Sequence, residues 1–539
     1  MNDGSYDGRQ VVRPVLIGGT WQPATSIEIF QAYNPATGQK LPEIYPVSAW
    51  PDLEKALAES RRIGQEVASV SPEKRARFLN TYADLLEKNQ EAITTMAHLE
   101  TALPLKSRLR STEFPRMINQ LRQAAAAVEE RSWCQATIDT KLNIRSKYGP
   151  LGGAVVIFSP NNFPLAFNAV AGSDLASAVA TGNPVICKAH PGHPGTTRLM
   201  AECLLEALQE AGLPAPTVQM LYHFSAEDGF RLVSHPAVAA VAFTGSRAAG
   251  LRLKEAAEKA GKLFYGELSS LNPVFFLPGI LKERAEAVAL ELFSSCSLGC
   301  GQFCTKPGLI VLVNDEAGRR FLWRLQQIFN QPLAGYLLSP AVLENLKKAV
   351  DRLKAAGAVL LAGGNQIPNC GFQFQTTLFA ITGRQFLQNP ETFQQEAFGT
   401  LAVAVVAEDV DEMLKIAENL EGNLTASIYS SSSEEDEEIY RKLEPIVRLK
   451  VGRLLNDKMP TGVAVSPAMH HGGPFPATGH PGFTSVGIPA AFLRFAARHC
   501  YDNVREDRLP EELRAKNPNG RMWRLVDGHW TQADLPGGN

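Results

Sequence analysis

The sequence predicts an α/β protein built on a doubly wound parallel sheet, and three observations predict it. From about residue 150, short β-branched runs alternate with longer helical patterns. The stretches between the runs are long enough to be crossover connections rather than hairpins. The composition, 45% hydrophobic with 20% charged residues, is that of a packed globular chain. At 539 residues the chain has room for three or four folded units.

Taken in order, residues 50 to 130 read as mostly helical and charged, as in KRARFLNTYADLLEKNQEAITTMAHLE, and should form a helical layer against the sheet. Residues 136 to 148, ATIDTKLNIRSKY, alternate apolar and polar and predict an antiparallel ribbon apart from the βαβ core. The strands of that core are expected at Ala154 to Phe158, Val185 to Lys188, Val218 to Leu221 and Val238 to Phe243. A helix carrying Leu199, Met200, Cys203, Leu204, Ala207, Leu208 and Ala211 on one face should be capped by Thr196 or Thr197 and stopped by Gly212 and Pro214. A second alternation runs from Val274 to about Asn456. Within it SSSSEEDEE, Ser430 to Glu438, reads as a Ser-capped acidic helix start rather than an interaction patch. A Gly/Pro/His-rich stretch, Met469 to Gly487, and a polar tail with Trp523 and Trp530 follow. Ligands of such sheets sit beyond the carboxyl ends of the strands, so the turns there are where chemistry is expected.

Lys plus Arg total 53 against 55 Asp plus Glu, a net charge of −2, which gives no reason to expect nucleic acid or an anionic membrane as partner. No basic segment followed by an apolar one opens the chain and no apolar run approaches membrane-spanning length, so a cytoplasmic protein is expected. Eight Cys at irregular spacings fit a reducing compartment better than a disulfide framework.

The segment SSCSLGCGQFCTKPG holds Cys296, Cys300 and Cys304 four residues apart. A zinc cluster would need a fourth ligand with partner spacing, and the adjacent pair His470 and His471 is a poor source of one, so no metal is expected. The favoured reading has Cys296 and Cys300 as buried small hydrophobes and Cys304 as a nucleophile exposed on a Gly-flanked turn. Supporting groups stand at the ends of expected strands, each with a bland alternative. Gly245 and Ser246 open a helix whose N–H groups can meet a pyrophosphate, or simply make a strand-to-helix turn. Lys188 can reach a ribose or its phosphate, or sit solvated. Glu267 can serve as general base, and Asn162 can donate to an oxyanion or shape its loop.

The ordered set SPNNFP, CKAHP, FTGS, YGELSSLNP, GQFC and EAFGT resembles the aldehyde dehydrogenase superfamily, over nearly the whole chain. Within it, NNFPLAFNAVAG, KAHPGHPGT, HGGPFPAT, TSVG and NPNGRMWRLVDG look most like the 2,5-dioxopentanoate (α-ketoglutarate semialdehyde) dehydrogenase group. The resemblance implies an aldehyde dehydrogenase-like fold with a Rossmann-type nucleotide domain, an α/β catalytic domain and a small β oligomerisation arm. The expected boundaries are 1–135 and 149–273 for nucleotide binding, 274–468 for catalysis, 136–148 and 469–505 for the arm, and 506–539 for a C-terminal tail.

It further implies NAD(P)-dependent oxidation of a small aldehyde to an acid. Cys304 would form the thiohemiacetal and thioester, Asn162 with the Cys304 N–H would hold the oxyanion, and Glu267 would activate water. Glu396 and Phe398 would hold the nicotinamide riboside, Lys188 the adenosine ribose and Ser246 the pyrophosphate. Relatives that use NAD carry a Glu where this chain has Pro191, so NADP is expected over NAD, with His190 or His193 assisting Lys188. Thr400 replaces a usual Pro and Ser269-Ser270 a usual Gly-Gly. Arg116 is the candidate for the substrate carboxylate, against the alternative of a solvated helix face. A homodimer or homotetramer is expected. The alternatives are another small or aromatic aldehyde as substrate, transfer to coenzyme A, which Glu267 argues against, and a non-catalytic nucleotide-binding member of the fold.

Overall fold

A computed structural model describes residues 11–332, 335–368 and 371–535. Its first sheet has the expected strands, Ala154–Phe158, Val185–Lys188, Val218–Leu221 and Val238–Thr244, with Leu263–Glu267 at one edge and the antiparallel pair Val15–Ile17 and Thr20–Gln22 at the other. The parallel strands are buried on both faces, which is why they read as continuous apolar runs rather than alternations. Helices Trp50–Ala68, Pro72–Lys88, Gln90–Thr101 and Phe114–Glu130 form the expected layer.

Helix Pro194–Ala211 begins earlier than a Thr196 or Thr197 cap would have it. Its first N–H groups are met from outside the segment: Glu100 accepts from Gly195 N (2.7 Å), Thr196 N (2.9 Å) and Thr196 Oγ1 (2.7 Å). A buried carboxylate on a neighbouring helix replaces the local hydroxyl and complements the helix dipole.

The second sheet spans Val274–Phe276 to Val451–Asn456 and is parallel except for the edge strand Val359–Ala362. Separate apolar clusters, one centred on Phe275 and Val405 and one on Phe276 and Phe321, cover its two faces. The acidic segment does start a helix, Glu437–Arg448, through a short turn in which Ser433 Oγ accepts from Glu435 N. Asp436 faces inward instead and caps a second helix by accepting from Gly279 N and Ile280 N.

In the third sheet, Thr137–Asp139 and Ile144–Pro150 form the expected ribbon, and Ala496–Asp502 pairs antiparallel along Ile144–Pro150. Two expected boundaries are corrected here. Residues 506–535 are not a separate tail: Arg524–Val526 and His529–Thr531 add two strands to this sheet, and the fully buried Arg524 donates to the carbonyls of Arg514, Ala515 and Ala533. Residues 469–495 do not belong to the arm either. They cross between the two larger sheets, with Leu268 N bonded to Ala477 O and Ser173 Oγ to Ser485 O. Glycines and prolines give that stretch no helical or strand period, so its path was set by contacts the local sequence does not reveal.

Candidate active site

Cys304 follows helix Pro278–Ser297 on a loop where Gly299, Cys300 and Gly301 all have positive φ, a turn that two glycines make accessible. The loop is fastened from three sides. Gln302 Oε1 accepts from Leu338 N at 2.8 Å, while its amide donates to the carbonyls of Gly299 and Tyr336. Asn272, itself at φ 50°, donates to the carbonyls of Cys304 (2.8 Å) and Lys306 (2.9 Å). Lys306 Nζ donates to Leu401 O (2.6 Å) and Ala397 O (3.2 Å), bracketing Phe398 and holding the residue next to Glu396.

Around the thiol the structure gathers Glu267, Asn162, Arg116 and a residue the sequence reading had set aside, His471. Cys304 Sγ lies 3.4 Å from His471 Nε2, which lies 3.2 Å from Glu267 Oε2. Both His471 and Glu267 are buried, and Glu267 Oε1 has no hydrogen-bond partner among the described residues. Burial pushes the Cys304 thiol well above its ordinary range, with the Glu267 and Glu396 carboxylates adding to the effect. Burial acts the same way on Glu267, but His471, the thiol and Arg116 outweigh it and leave its carboxyl below the usual value. The resting site therefore pairs a protonated thiol with an ionised acceptor. Of the adjacent pair His470 and His471, only the second imidazole reaches the thiol, a contact that no local spacing in the sequence marks.

Asn162 Nδ2 donates to Gln302 O at 3.0 Å, which sets its amide beside the Cys304 loop and leaves its second amide hydrogen for another acceptor. The Cys304 N–H finds no acceptor among the described residues. The SPNNFP loop is held by an ion pair invisible in the motif itself. Arg108 and Glu113 pair in the interior; Glu113 accepts from Leu165 N and Ala166 N, and Arg108 donates to Asn162 O while lying 4.3 Å from the Phe163 ring centroid. Arg116 is not on a solvated face. It lies over Phe163 and Phe167, donates from Nη1 to Val463 O, and keeps Nε and Nη2 buried without partners among the described residues.

The expected cofactor residues line the carboxyl edge of the first sheet and the facing loop of the second domain. Lys188 ends its strand, and its Nζ has neither an ion pair nor a hydrogen bond among the described residues; burial brings it down to about 8. His190 Nδ1 accepts from Gly192 N and its ring stacks on His193 at 5.3 Å. His193 is already engaged, with Nε2 at 2.9 Å from Pro160 O. Ser246 caps helix Arg247–Lys259, whose first residue joins Glu421 of the other domain at 2.8 Å; Gly245 N donates to Glu267 O.

Glu396 and Phe398 are half-buried. Burial pushes Glu396 up to about 7 against the pull of Lys306. In GELSS, Ser270 donates to Asn272 Oδ1 and accepts from Leu424 N, steadying the residue that pins Cys304. Thr400 is buried with its hydroxyl unpartnered, and nothing in the structure explains it.

This thiol, carboxylate and amide arrangement between the two large sheets agrees with what comparison with known proteins finds. Residues 21–468 match the model of the aldehyde dehydrogenase family. The chain belongs to the aldehyde dehydrogenase family. It is 36% identical over 530 residues to alpha-ketoglutaric semialdehyde dehydrogenase 2 of Azospirillum brasilense, covering 96% of this chain and 99% of that one. It is 33% identical over 519 residues to alpha-ketoglutaric semialdehyde dehydrogenase of Acinetobacter baylyi, covering 94% and 97%. The aldehyde dehydrogenase fold is also that of 1-pyrroline-5-carboxylate dehydrogenase from Thermus with bound NAD, with a TM-score of 0.77 at 22% identity, covering 91% of this chain and 92% of that one. PnpE in complex with nicotinamide adenine dinucleotide gives the same TM-score at 20% identity, covering 92% and 98%. The protein is thus an oxidoreductase acting on aldehydes, and no described helix is long and apolar enough to cross a membrane.

Proposed function

We propose that this aldehyde dehydrogenase oxidises 2,5-dioxopentanoate to 2-oxoglutarate, with NADP preferred over NAD. The observation that carries the substrate reading is Arg116: a guanidinium near the reactive thiol, with two buried nitrogens, Nε and Nη2, that have no partner among the described residues, fits a carboxylate. The names of the two relatives above support the same substrate.

His471 Nε2, 3.4 Å from the sulfur, is the acceptor in reach of the thiol proton, and its contact with the Glu267 carboxylate lets the proton pass on to that carboxylate. The Cys304 sulfur then adds to the aldehyde carbon, and the Asn162 amide and Cys304 N–H hold the oxyanion. The bound dinucleotide supplies a hydride acceptor at nicotinamide C4, and loss of that hydride from the substrate carbon leaves a thioester on Cys304. Once the thiol proton has left it for solvent, Glu267 draws a proton from water, whose attack releases the acid and returns the thiolate.

The NADP preference rests on the unpaired Lys188 ammonium next to Pro191, with no carboxylate to repel a 2′-phosphate; His190 contributes its ring edge. Gly245, Ser246, Glu396 and Phe398 complete the dinucleotide site. We read the three-stranded core of the arm as a subunit contact giving a dimer or tetramer, in a cytoplasmic enzyme. An aldehyde panel run with both cofactors tests the assignment. 2,5-Dioxopentanoate with NADP should give the highest kcat/KM, and Cys304→Ala should give no turnover. Arg116→Met should raise KM ten- to a hundred-fold for the acid aldehyde, as loss of about 1.5–3 kcal/mol of charged hydrogen bonding implies, and leave an uncharged aldehyde of equal length little changed.

A further inference from the structure

The groups gathered at the thiol also constitute a ligand set. Cys304 Sγ, His471 Nε2 and a Glu267 carboxylate oxygen all lie within 4.8 Å of one another, two of the separations being 3.4 and 3.2 Å. Zinc binds sulfur at about 2.3 Å and nitrogen or oxygen at about 2.0–2.2 Å, so neighbouring ligands at tetrahedral angles stand about 3.3–3.6 Å apart. The two separations are already near that edge length, and a small shift of the third would close the triangle.

The site is also rigid and its polar capacity is unfilled. Asn272 and Gln302 fasten the Cys304 loop, Glu267 ends a buried strand, and His471 is held by hydrogen bonds from its N–H to Thr484 Oγ1 (3.0 Å) and from Ser485 N to its carbonyl (3.1 Å). Glu267 Oε1 is buried without a partner. Of the charges around the cluster, the Glu396 carboxylate favours a cation and the Arg116 guanidinium opposes one.

We propose that Cys304, His471 and Glu267 bind a zinc ion in the substrate-free enzyme and that the bound metal switches it off. Three protein ligands leave the fourth position open to water or to a substrate oxygen. On binding, the Cys304 S–H bond breaks, an S–Zn bond forms and the proton leaves to solvent; nothing is oxidised or reduced. The nucleophile and the water-activating base are withdrawn together, and a chelator restores both. The metal reading needs neither the substrate nor the cofactor assignment.

The test is titration of the metal-free full-length protein with cobalt(II) and with zinc buffered at known free concentration. Wild type should bind one equivalent and show the sulfur-to-cobalt charge-transfer band of a four-coordinate thiolate site. Zinc should inhibit it reversibly, with relief by chelator. Cys304→Ser should lose the band, and His471→Gln and Glu267→Gln should each bind zinc at least ten-fold more weakly. Failure of wild type to bind one equivalent would overturn the proposal, as would wild-type affinity and spectrum in both His471→Gln and Glu267→Gln, since zinc would then be held by the thiol alone. The optical readout requires no turnover, so a failed aldehyde panel leaves it decidable.

Discussion

In the proposed preference for NADP a single side chain, Lys188, sets the cofactor choice. Its ammonium is buried without an anion among the described residues, and burial lowers it to about 8, so in the free enzyme it loses its charge as pH rises through that value. Glu396 changes in the other sense, becoming ionised as pH rises through about 7, and it would meet the ribose of either dinucleotide. The ratio of the two affinities therefore isolates Lys188. Calorimetric titration should show the preference for NADP over NAD falling between pH 7 and pH 9. Lys188→Ala should remove most of the preference at pH 7 and flatten its pH dependence. A ratio independent of pH in the wild type would reject a lysine-held 2′-phosphate.

At the scale of elements, the catalytic and cofactor loops are in direct backbone contact. A Cβ on Gly301, whose φ is 70°, would stand 2.3 Å from Gly399 O and 2.5 Å from Thr400 N. Gly301→Ala is therefore strained twice, by its φ and by the facing peptide. It should raise KM for the cofactor and lower kcat together, with a lower melting temperature; unchanged kinetics would show the two loops to be independent.

The strands, the reactive cysteine and the residues at strand ends were legible because each has a local signature: a buried β-branched run, a Gly-flanked turn, a polar residue just past an apolar stretch. The fastening groups were not. Glu113 bonds Leu165 and Ala166, Asn423 Oδ1 accepts from Leu271 N and Asn272 N, and Glu100 caps a helix almost a hundred residues away. Such partners are separated in sequence by 52 to 152 residues, so no local period or spacing marks them. His471 escaped for the same reason, as its stretch crosses to the thiol from beyond the second sheet.

For the whole molecule, the third sheet carries the proposed subunit contact. The strand Ala496–Asp502 is a sheet edge, and Leu142, Trp523 and Trp530 are exposed apolar side chains on the same arm. Edge strands and exposed apolar surface are what subunit contacts cover. Light scattering should give a dimer or tetramer for the full chain. Removal of residues 506–539 takes away two strands and the buried Arg524, and should shift the mass toward monomer; a full chain that scatters as a monomer would remove the arm's role.

In the proposed reaction the Cys304 thiol carries the substrate as a thioester, which water activated by Glu267 then hydrolyses. A single-turnover measurement on Glu267→Gln with 2,5-dioxopentanoate and NADP, followed by intact mass, tests this reaction. A burst of NADPH of one equivalent per active site, little further turnover and an acyl adduct on Cys304 are expected. Steady turnover at the wild-type rate, or a burst with no adduct on Cys304, would exclude a Cys304 thioester.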